Sequence, residues 1–400
     1  MTALFAVPAA CPTGRDASPD ALRDVPETTT PASPPAPRAT AEQAADLRRD
    51  LEATGWGVDS VHHLLGDAAD AALRREIRLP ALRALRRALD EDRAAGATPD
   101  PTAVLTALFM LGQTVPAAEL DSALRRTRTR GALAMGLVEF VPDADGPRPD
   151  PGPTGGPGDG PGPAPAPGSG SGERPDAAPA PRVRALVDLR PHEARDDAGD
   201  VRWWVASDLG ELATGAPLAP DHVLGIGGAG LALAALTPRR PVAAALDLGC
   251  GCGIQTLYLL RHADRVTATD VSERALAFTA FNAALAAVGP DRLELLTGSL
   301  LEPVAGRRFD LIVTNPPFVL TPLAVREAGL PLMEYRDAGR PVLPGLVAGL
   351  GEHLGAGAAA VMLGNWEHRR GRDWRRDVAA WVPDDLDQLE IGRASCRERV

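Results

Sequence analysis

The stretch FDLIVTNPPF, an apolar strand that ends in Asn315-Pro316-Pro317-Phe318, has the composition of a site that orients a planar amino group. An amide or exocyclic amine nitrogen is a poor nucleophile because its lone pair is shared with a π-system. The Asn315 side-chain oxygen and the Pro316 backbone carbonyl could accept the protons of such a nitrogen. Both prolines lack an N–H donor and have a fixed φ, so they hold these acceptors in place, and Phe318 can stack on the planar target. The alternative is a simple turn that ends a strand.

The run DLGCGCG, from Asp247 to Gly253, follows a predicted strand and opens a predicted helix. Gly249, Gly251 and Gly253 let the backbone turn tightly and approach a ligand without a Cβ clash, and the helix N-terminus beyond them favours a carboxylate. A nucleotide-phosphate loop would have glycine where Ile254 stands. An acid before G-x-G-x-G instead suits S-adenosylmethionine, because Asp247 could meet the ammonium group of that ligand.

Asp270 ends the next predicted strand, RVTATD, where its carboxylate can accept two hydrogen bonds from ribose hydroxyls. Asp270 could instead cap the following helix, although Ser272 can fill that role. Dinucleotide-binding folds and methyltransferases both place an acid here, so Asp270 predicts an adenosine ligand without choosing between them. The corner at Asn315 favours S-adenosylmethionine over a dinucleotide, because it could orient an amino group toward a sulfonium methyl. Transfer of that methyl group needs only in-line placement, and positioning of this kind lowers the reaction barrier by about 7–11 kcal/mol.

Strands alternate with helices of ten or more residues from Val201 onward, which predicts βαβ units and a parallel sheet. Ligands of such sheets bind outside the carboxyl ends of the strands, so the glycine loop, Asp270 and the Asn315 corner are expected to meet there. Upstream, short helices followed by the strands GLVEFVP and VRALVDLRP predict a winged-helix-like domain. The Pro/Gly-rich stretch between these two strands cannot form a core.

Residues 220–365 resemble the small-domain branch of class I S-adenosylmethionine-dependent methyltransferases, which has an Asn-Pro-Pro-Tyr/Phe motif. That branch includes ribosomal RNA guanine N2-, adenine N6- and release-factor glutamine N5-methyltransferases. The matching motif residues are Asp247, Gly249, Gly251, Gly253, Asp270 and Asn315 to Phe318. Gly298-Ser299-Leu300 falls where family members contact the adenine base, often through an aspartate, and Ser299 departs from that pattern.

The fold class is therefore predicted to be α/β, with a doubly wound, mostly parallel Rossmann-like sheet preceded by a helical winged-helix-like domain. The predicted organisation is a disordered segment at 1–40, the winged-helix-like domain at 41–142 completed by a strand at 183–190, a linker at 143–182 and a methyltransferase domain at 201–389. Residues 390–400, EIGRASCRERV, read like a translated sequencing adapter, with an ordinary basic tail as the alternative. We therefore expect the domain to be truncated at its C-terminal end.

The resemblance implies an enzyme, an S-adenosylmethionine-dependent N-methyltransferase that acts on a planar amino or amide nitrogen. A nucleobase of RNA or DNA is the favoured substrate. One alternative is a glutamine side chain of a release-factor-like protein, and another is a non-catalytic winged-helix binding protein. The basic run from Arg125 to Arg130 lies where a winged helix presents its third helix, and it is either a phosphate-binding surface or a solvated helix face.

Composition narrows the class of protein further. The net charge of −11 over 400 residues argues against nonspecific coating of nucleic acid, although it leaves room for a small basic patch. The four cysteines have neither disulfide nor zinc spacing, so no metal is expected. No apolar run approaches transmembrane length, and the predicted location is the cytoplasm, with no membrane partner.

Overall fold

The computed structural model describes residues 2–6, 33–142, 180–196, 199–317, 342–366, 371–383, 386 and 389–393. Phe318 and nearly all of the predicted linker lie outside these residues. The first element is the short strand β1 (Thr2–Ala6), which falls within the segment predicted to be disordered. The structure therefore differs from that prediction at these five residues.

The N-terminal domain is a helical assembly with a small antiparallel sheet. Its helices are α1 (Ala41–Thr54), α2 (Val58–Leu65), α3 (Asp67–Leu73), α4 (Leu79–Ala94), α5 (Pro101–Leu105), α6 (Ala117–Ala123) and α7 (Arg128–Ala134). The sequence defines both ends of α1, because Thr40 and Gln43 form a reciprocal capping box and Gly55 ends the helix at a φ of 67°. The fully buried Trp56 follows, and its Nε1 donates to Thr106 Oγ1 at 3.1 Å in the centre of the domain.

The small sheet completes a winged-helix arrangement. Its strands are β2 (Val115–Pro116), β3 (Val138–Phe140) and β4 (Arg182–Ala185), in the order β2-β4-β3. Helices α6 and α7 lie between β2 and β3 in the chain, and β3 and β4 pair as an antiparallel hairpin. The predicted winged-helix-like domain is therefore observed.

The strand predicted at 183–190 is interrupted. It ends at Ala185, and β5 (Asp188–Asp196) then pairs antiparallel with β6 (Gly199–Ser207). Consequently β6, predicted as a strand of the parallel sheet, belongs to a separate hairpin. The hairpin stays with the N-terminal domain because its residues Leu189 and Trp204 are buried in the core of that domain.

The second domain is a parallel sheet with helices between its strands. The remaining strands are β7 (Val242–Leu248), β8 (Ala263–Asp270), β9 (Leu293–Thr297), β10 (Phe309–Thr314), β11 (Leu354–Gly364) and β12 (Leu389–Arg393). The remaining helices are α8 (Glu211–Thr214), α9 (Gly228–Leu236), α10 (Ile254–Leu259), α11 (Glu273–Leu285), α12 (Leu343–His353) and α13 (Trp374–Ala379). No helix within the described ranges is long and apolar enough to cross a membrane.

All neighbouring strands in this sheet run parallel, in the order β12-β1-β11-β10-β7-β8-β9. The chain builds outward from β7 to β9 and then returns to β10 on the other side. The ends of β7 and β10 therefore mark the point where strand order reverses, which is where a ligand crevice is expected. The predicted doubly wound α/β fold is confirmed. The pairing of β12 with β1 does not test the predicted adapter origin of residues 390–400.

Candidate active site

A cavity of about 550 Å³ opens at the carboxyl ends of β7, β8 and β10. The sequence-predicted site residues that line it are Gly249, Gly251, Asp270, Ser299, Asn315, Pro316 and Pro317. Segments far apart in the sequence therefore meet at one opening, as the parallel topology requires. Phe318 lies outside the described residues, so its predicted stacking role stays a prediction.

The glycine loop between β7 and α10 has the conformation that its glycines permit. Gly249, Gly251 and Gly253 have φ values of 75°, 54° and 81°, a region that other residues rarely adopt. Gly253 does not line the cavity. It lies against α11, where an added Cβ would come within 2.8 Å of Thr279 Oγ1 and 2.9 Å of its Cγ2.

This difference predicts that two glycine substitutions have unequal effects on stability. Both Gly253→Ala and Gly249→Ala force a side chain into a positive φ, but an added Cβ at Gly249 meets nothing within 4 Å. We expect Gly249→Ala to lower the free energy of unfolding by about 1 kcal/mol and Gly253→Ala by about 3 kcal/mol or more. Denaturant unfolding of the two variants measures the difference, and equal losses would show that Thr279 moves aside without cost.

Asp247 stands beneath the loop rather than in the cavity wall. Its carboxylate is 1% exposed, and Oδ2 accepts a hydrogen bond from Thr256 Oγ1 at 2.5 Å. Asp247 is not among the cavity-lining residues. In this structure it fixes the first turns of α10 to the end of β7, while its predicted contact with a ligand ammonium group stays a prediction.

The buried carboxyl of Asp247 makes stability depend on pH. Burial raises its pKa to about 7, despite the hydrogen bond from Thr256, whereas an unfolded chain titrates near its ordinary value of about 4. Because the folded protein binds this proton more tightly, the stabilisation is complete below pH about 4 and is lost as the pH rises to about 7.

We therefore expect the unfolding free energy of the ligand-free protein to decline by several kcal/mol over this interval, relative to the Asp247→Asn variant. Denaturant titrations of both proteins at a series of pH values measure this difference. A difference that is independent of pH contradicts the prediction.

Asp270 joins the glycine loop to the start of α11. Its Oδ2 accepts from the Gly251 N–H at 3.0 Å, and its Oδ1 accepts from the Ser272 N–H at 2.9 Å. Ser272, rather than Asp270, caps α11, because Ser272 Oγ accepts from the Ala275 N–H. A carboxylate accepts up to about four hydrogen bonds, so Asp270 keeps acceptor capacity toward the cavity that it lines.

The corner after β10 is held rigidly against the glycine loop. Thr314 is fully buried, and its Oγ1 donates to the Leu248 carbonyl at 2.8 Å. Pro316 is buried and Pro317 half-buried, whereas Asn315 is exposed at the cavity. The backbone is thus anchored on both sides of the Asn315 side chain, which is free to meet a ligand.

A second wall of the cavity comes from the segment that precedes the glycine loop. It consists of residues 220–225 together with the start of α9. Asp208, at the end of β6, holds it in place, because its Oδ2 accepts from the Val223 N–H at 2.8 Å while its carboxylate pairs with Arg274. Ser33 Oγ donates to Asp221 Oδ1 at 2.5 Å. In its sequence, Asp221 to Gly230 resembles the segment that helps close over the cofactor in this methyltransferase branch, with a plain Gly-rich connection as the alternative.

Asn282 on α11 ties the loop to the β5–β6 hairpin. Its Nδ2 donates to the carbonyls of Ala206 and Cys252, each at 2.8 Å, and its Oδ1 accepts from the Ala206 N–H at 2.8 Å. The residue is fully buried, so its role is to support the loop rather than to contact a ligand.

Comparison with known proteins places this site in a family. The methyltransferase small domain family matches residues 227–327, which include the glycine loop, Asp270 and the Asn315 corner. Residues 227–327 are a methyltransferase small domain. This match confirms, for these residues, the resemblance noted from the sequence. A second family, a domain of unknown function named DUF7059, matches residues 53–149.

The small domain is similar to part of several curated proteins. It is 42% identical over 73 residues to ribosomal RNA small subunit methyltransferase C of Alcanivorax borkumensis, covering 18% of this chain and 21% of that protein. It is 38% identical over 86 residues to release factor glutamine methyltransferase of Aquifex aeolicus, covering 21% of this chain and 30% of that protein. The match thus spans less than a third of either relative.

Among solved structures, the chain is similar to a ribosomal protein L11 methylase from Lactobacillus delbrueckii subsp. bulgaricus. The identity is 27%, the match covers 34% of this chain and 56% of that one, and the TM-score is 0.24.

The two cysteines of the loop are buried. Cys250 and Cys252 are free thiols, and burial raises the pKa of both. Over the ranges that the structure covers, no group of three or more histidine, cysteine, aspartate or glutamate side chains is arranged to hold a metal.

Proposed function

We propose that this protein transfers a methyl group from S-adenosylmethionine to a planar amino nitrogen, with a nucleobase of RNA or DNA as the substrate. The observation that carries the proposal is the meeting of Asn315, Pro316 and Pro317 with Gly249, Gly251 and Asp270 around one cavity. A cofactor held by the loop and Asp270 would present its sulfonium methyl toward the Asn315 corner. The proposal includes a cytoplasmic location.

The residues around the cavity fit this cofactor. The loop would bring backbone close to the cofactor at Gly249 and Gly251, which line the cavity and whose positive φ values strain any larger residue. Asp270 has acceptor capacity for ribose hydroxyls, and Ser299 lines the cavity where the adenine would lie. When bound, the cofactor supplies an electrophilic methyl group.

Protein groups orient the acceptor nitrogen. The Asn315 oxygen and the Pro316 carbonyl would accept the two N–H protons and turn the lone pair toward the methyl group. Placement at near-attack distance is the main contribution, so no strong general base is required. Phe318 is proposed to stack on the acceptor plane.

Glutamine in a protein is the second candidate substrate. It is favoured by the similarity to a release factor glutamine methyltransferase, which is comparable in identity and length to the similarity with the ribosomal RNA enzyme. A carboxamide presents the same planar –NH2 group, so the corner alone does not discriminate between the two substrates.

Transfer of a labelled methyl group tests the proposal. The purified protein is incubated with methyl-labelled S-adenosylmethionine and cell extract, with Asn315→Ala as the control for endogenous enzymes. We expect label that is lost on RNase or DNase treatment and that mass spectrometry assigns to an exocyclic amino group of a nucleoside. Label lost only on protease treatment selects glutamine instead, and no label above the control, with no cofactor binding by calorimetry, selects the non-catalytic binding protein.

A further inference from the structure

The turn between α6 and α7, together with the first residues of α7, presents a row of arginines on the surface of the N-terminal domain. The Arg125, Arg126, Arg128 and Arg130 side chains are exposed, whereas the threonines between them, at 127 and 129, are buried. We call residues 125–130 the arginine turn. Its alternation places every charge outward and leaves the backbone against the core.

Two carboxylates accept hydrogen bonds from the backbone of the arginine turn on the side that faces the domain core. Asp50 of α1 is 4% exposed, and its oxygens accept from the Arg126 N–H at 3.0 Å and the Thr127 N–H at 2.8 Å. Asp121 of α6 accepts from the Thr129 N–H at 2.6 Å and pairs with the Arg128 side chain at 3.0 Å. Burial alone would raise the pKa of Asp121, but the hydrogen bonds from Thr129 and Arg128 lower this pKa below its ordinary value. Asp121 is therefore ionised, and its charge is paired within the turn.

The guanidinium groups of Arg125, Arg126 and Arg130 have no acidic partner in the part of the chain that the structure describes. Among the described residues, Arg125, Arg126 and Arg130 form neither an ion pair nor a side-chain hydrogen bond. Some exposed arginines of this domain are paired, including Arg93 with Glu119 and Arg184 with Glu139. Arg83, Arg86 and Arg87 of α4 are exposed and, among the described residues, form no ion pair either, so they serve as the matched control. Three unpaired charges on a rigid turn form a positive surface in a chain whose net charge is −11.

The arginine turn lies at the position where helix-turn-helix domains contact nucleic acid. Helices α6 and α7 precede the β3–β4 hairpin, and in helix-turn-helix domains the second helix of the pair approaches nucleic acid with its N-terminal residues. Guanidinium groups bind phosphate with planar, two-pronged geometry. We propose that the arginine turn binds the phosphate backbone of the nucleic acid whose base is methylated. This inference rests on the proposed function.

A short segment links the C-terminal end of α7 to the rim of the cavity. The Arg38 N–H donates to the Met135 carbonyl at 3.0 Å, directly after α7. Five residues earlier, Ser33 contacts Asp221 in the cavity wall. Nucleic acid docked on the arginine turn would therefore be held by a domain that is hydrogen-bonded, through residues 33–38, to the cavity wall.

Binding measurements on matched variants of the full chain test the inference. The variants are the triple replacement R125A/R126A/R130A, its lysine counterpart R125K/R126K/R130K, and the control R83A/R86A/R87A. The control removes three exposed arginines from α4 of the same domain. Fluorescence anisotropy with a labelled RNA stem–loop and a DNA hairpin of the same sequence, over a range of salt concentrations, gives affinities and salt slopes.

We expect the alanine triple to bind about 10-fold or more weakly, with a salt dependence reduced by about two to three phosphate contacts. The lysine triple should keep most of the affinity, and the α4 control should change it by less than about twofold. Equal losses in the alanine triple and the control would overturn the inference, because net charge alone would then explain binding. Unchanged binding by the alanine triple would overturn it as well.

Cofactor binding separates the outcomes. The alanine triple should bind S-adenosylmethionine as the wild type does, since its replaced side chains are exposed and lie in another domain. Arginine-dependent nucleic-acid binding without methyl transfer to it would leave the docking surface standing and reject the proposed function. Methyl transfer to RNA by both the wild type and the alanine triple at equal affinity would reject the docking surface alone. Methyl transfer to protein, with no nucleic acid bound, overturns the inference and selects glutamine.

Discussion

Replacing Asn315 by alanine should lower the rate of methyl transfer about 100-fold to 10,000-fold and change cofactor affinity by less than about threefold. Asn315 is exposed at the cavity between the buried Thr314 and Pro316. Its removal leaves the surrounding backbone in place but takes away an acceptor that would orient the amino group. Single-turnover rates with saturating cofactor measure the loss, and calorimetry measures the affinity.

The matched variant for this prediction is Asn315→Asp. Aspartate keeps acceptor oxygens at the same point of the corner, so it should retain more activity than alanine if hydrogen-bond acceptance is what matters. If Asn315→Ala turns over its true substrate at close to the wild-type rate, the corner does not orient the amino group.

Replacing Asp270 by alanine should weaken cofactor binding about 100-fold or more. Two losses combine: the two predicted hydrogen bonds to ribose hydroxyls, and the observed bonds that Asp270 accepts from the Gly251 and Ser272 N–H groups. Hydrogen bonds to charged groups contribute about 1.5–3 kcal/mol each. The loss of several such bonds therefore lowers the binding free energy of the cofactor by more than most substitutions at the surface would. Calorimetric titration with S-adenosylmethionine and S-adenosylhomocysteine measures it.

Asp264→Ala is the control for Asp270→Ala. Both residues belong to β8, but Asp264 is exposed near the opposite end of the strand and does not line the cavity. Its replacement should leave the affinity within about twofold of wild type. Similar losses in the two variants would mean that Asp270 acts through the stability of β8 rather than through the ligand.

Features of the fold that depend on local chemistry could be predicted from the sequence. Gly249, Gly251 and Gly253 predicted a tight loop, and each has a positive φ. The alternation of strands and helices predicted the parallel sheet, and its topology then required the Asn315 corner to lie beside that loop. These inferences need only neighbouring residues and the rules of parallel sheets.

Features that depend on distant contacts could not be predicted in this way. The apolar run of residues 183–190 looked like one strand, but the chain changes partners after Ala185, since Leu189 packs with residues of the N-terminal core. The cavity wall at Val223 is held by Asp208, whose acidic side chain had no recognisable motif. The backbone pairing of β1 with β11 joins residues more than three hundred positions apart.

The role of Asp247 shows the same limit inside the site. Its place before the glycines predicts a ligand contact, which stays a prediction. Sequence spacing gives the proximity of Asp247 to the loop but not the direction of its side chain. In the structure the carboxylate is buried and bonded to Thr256. The measured pH dependence of stability would report this burial directly.

A crystal structure with bound S-adenosylhomocysteine tests the central claim most directly. We predict that the ligand fills the cavity at the ends of β7 and β10, with its ribose at Asp270 and its sulfur facing the Asn315 side chain. A ligand bound elsewhere, or a sulfur that faces away from Asn315 and Pro316, would contradict the assignment of this corner as the place where the methyl group is transferred.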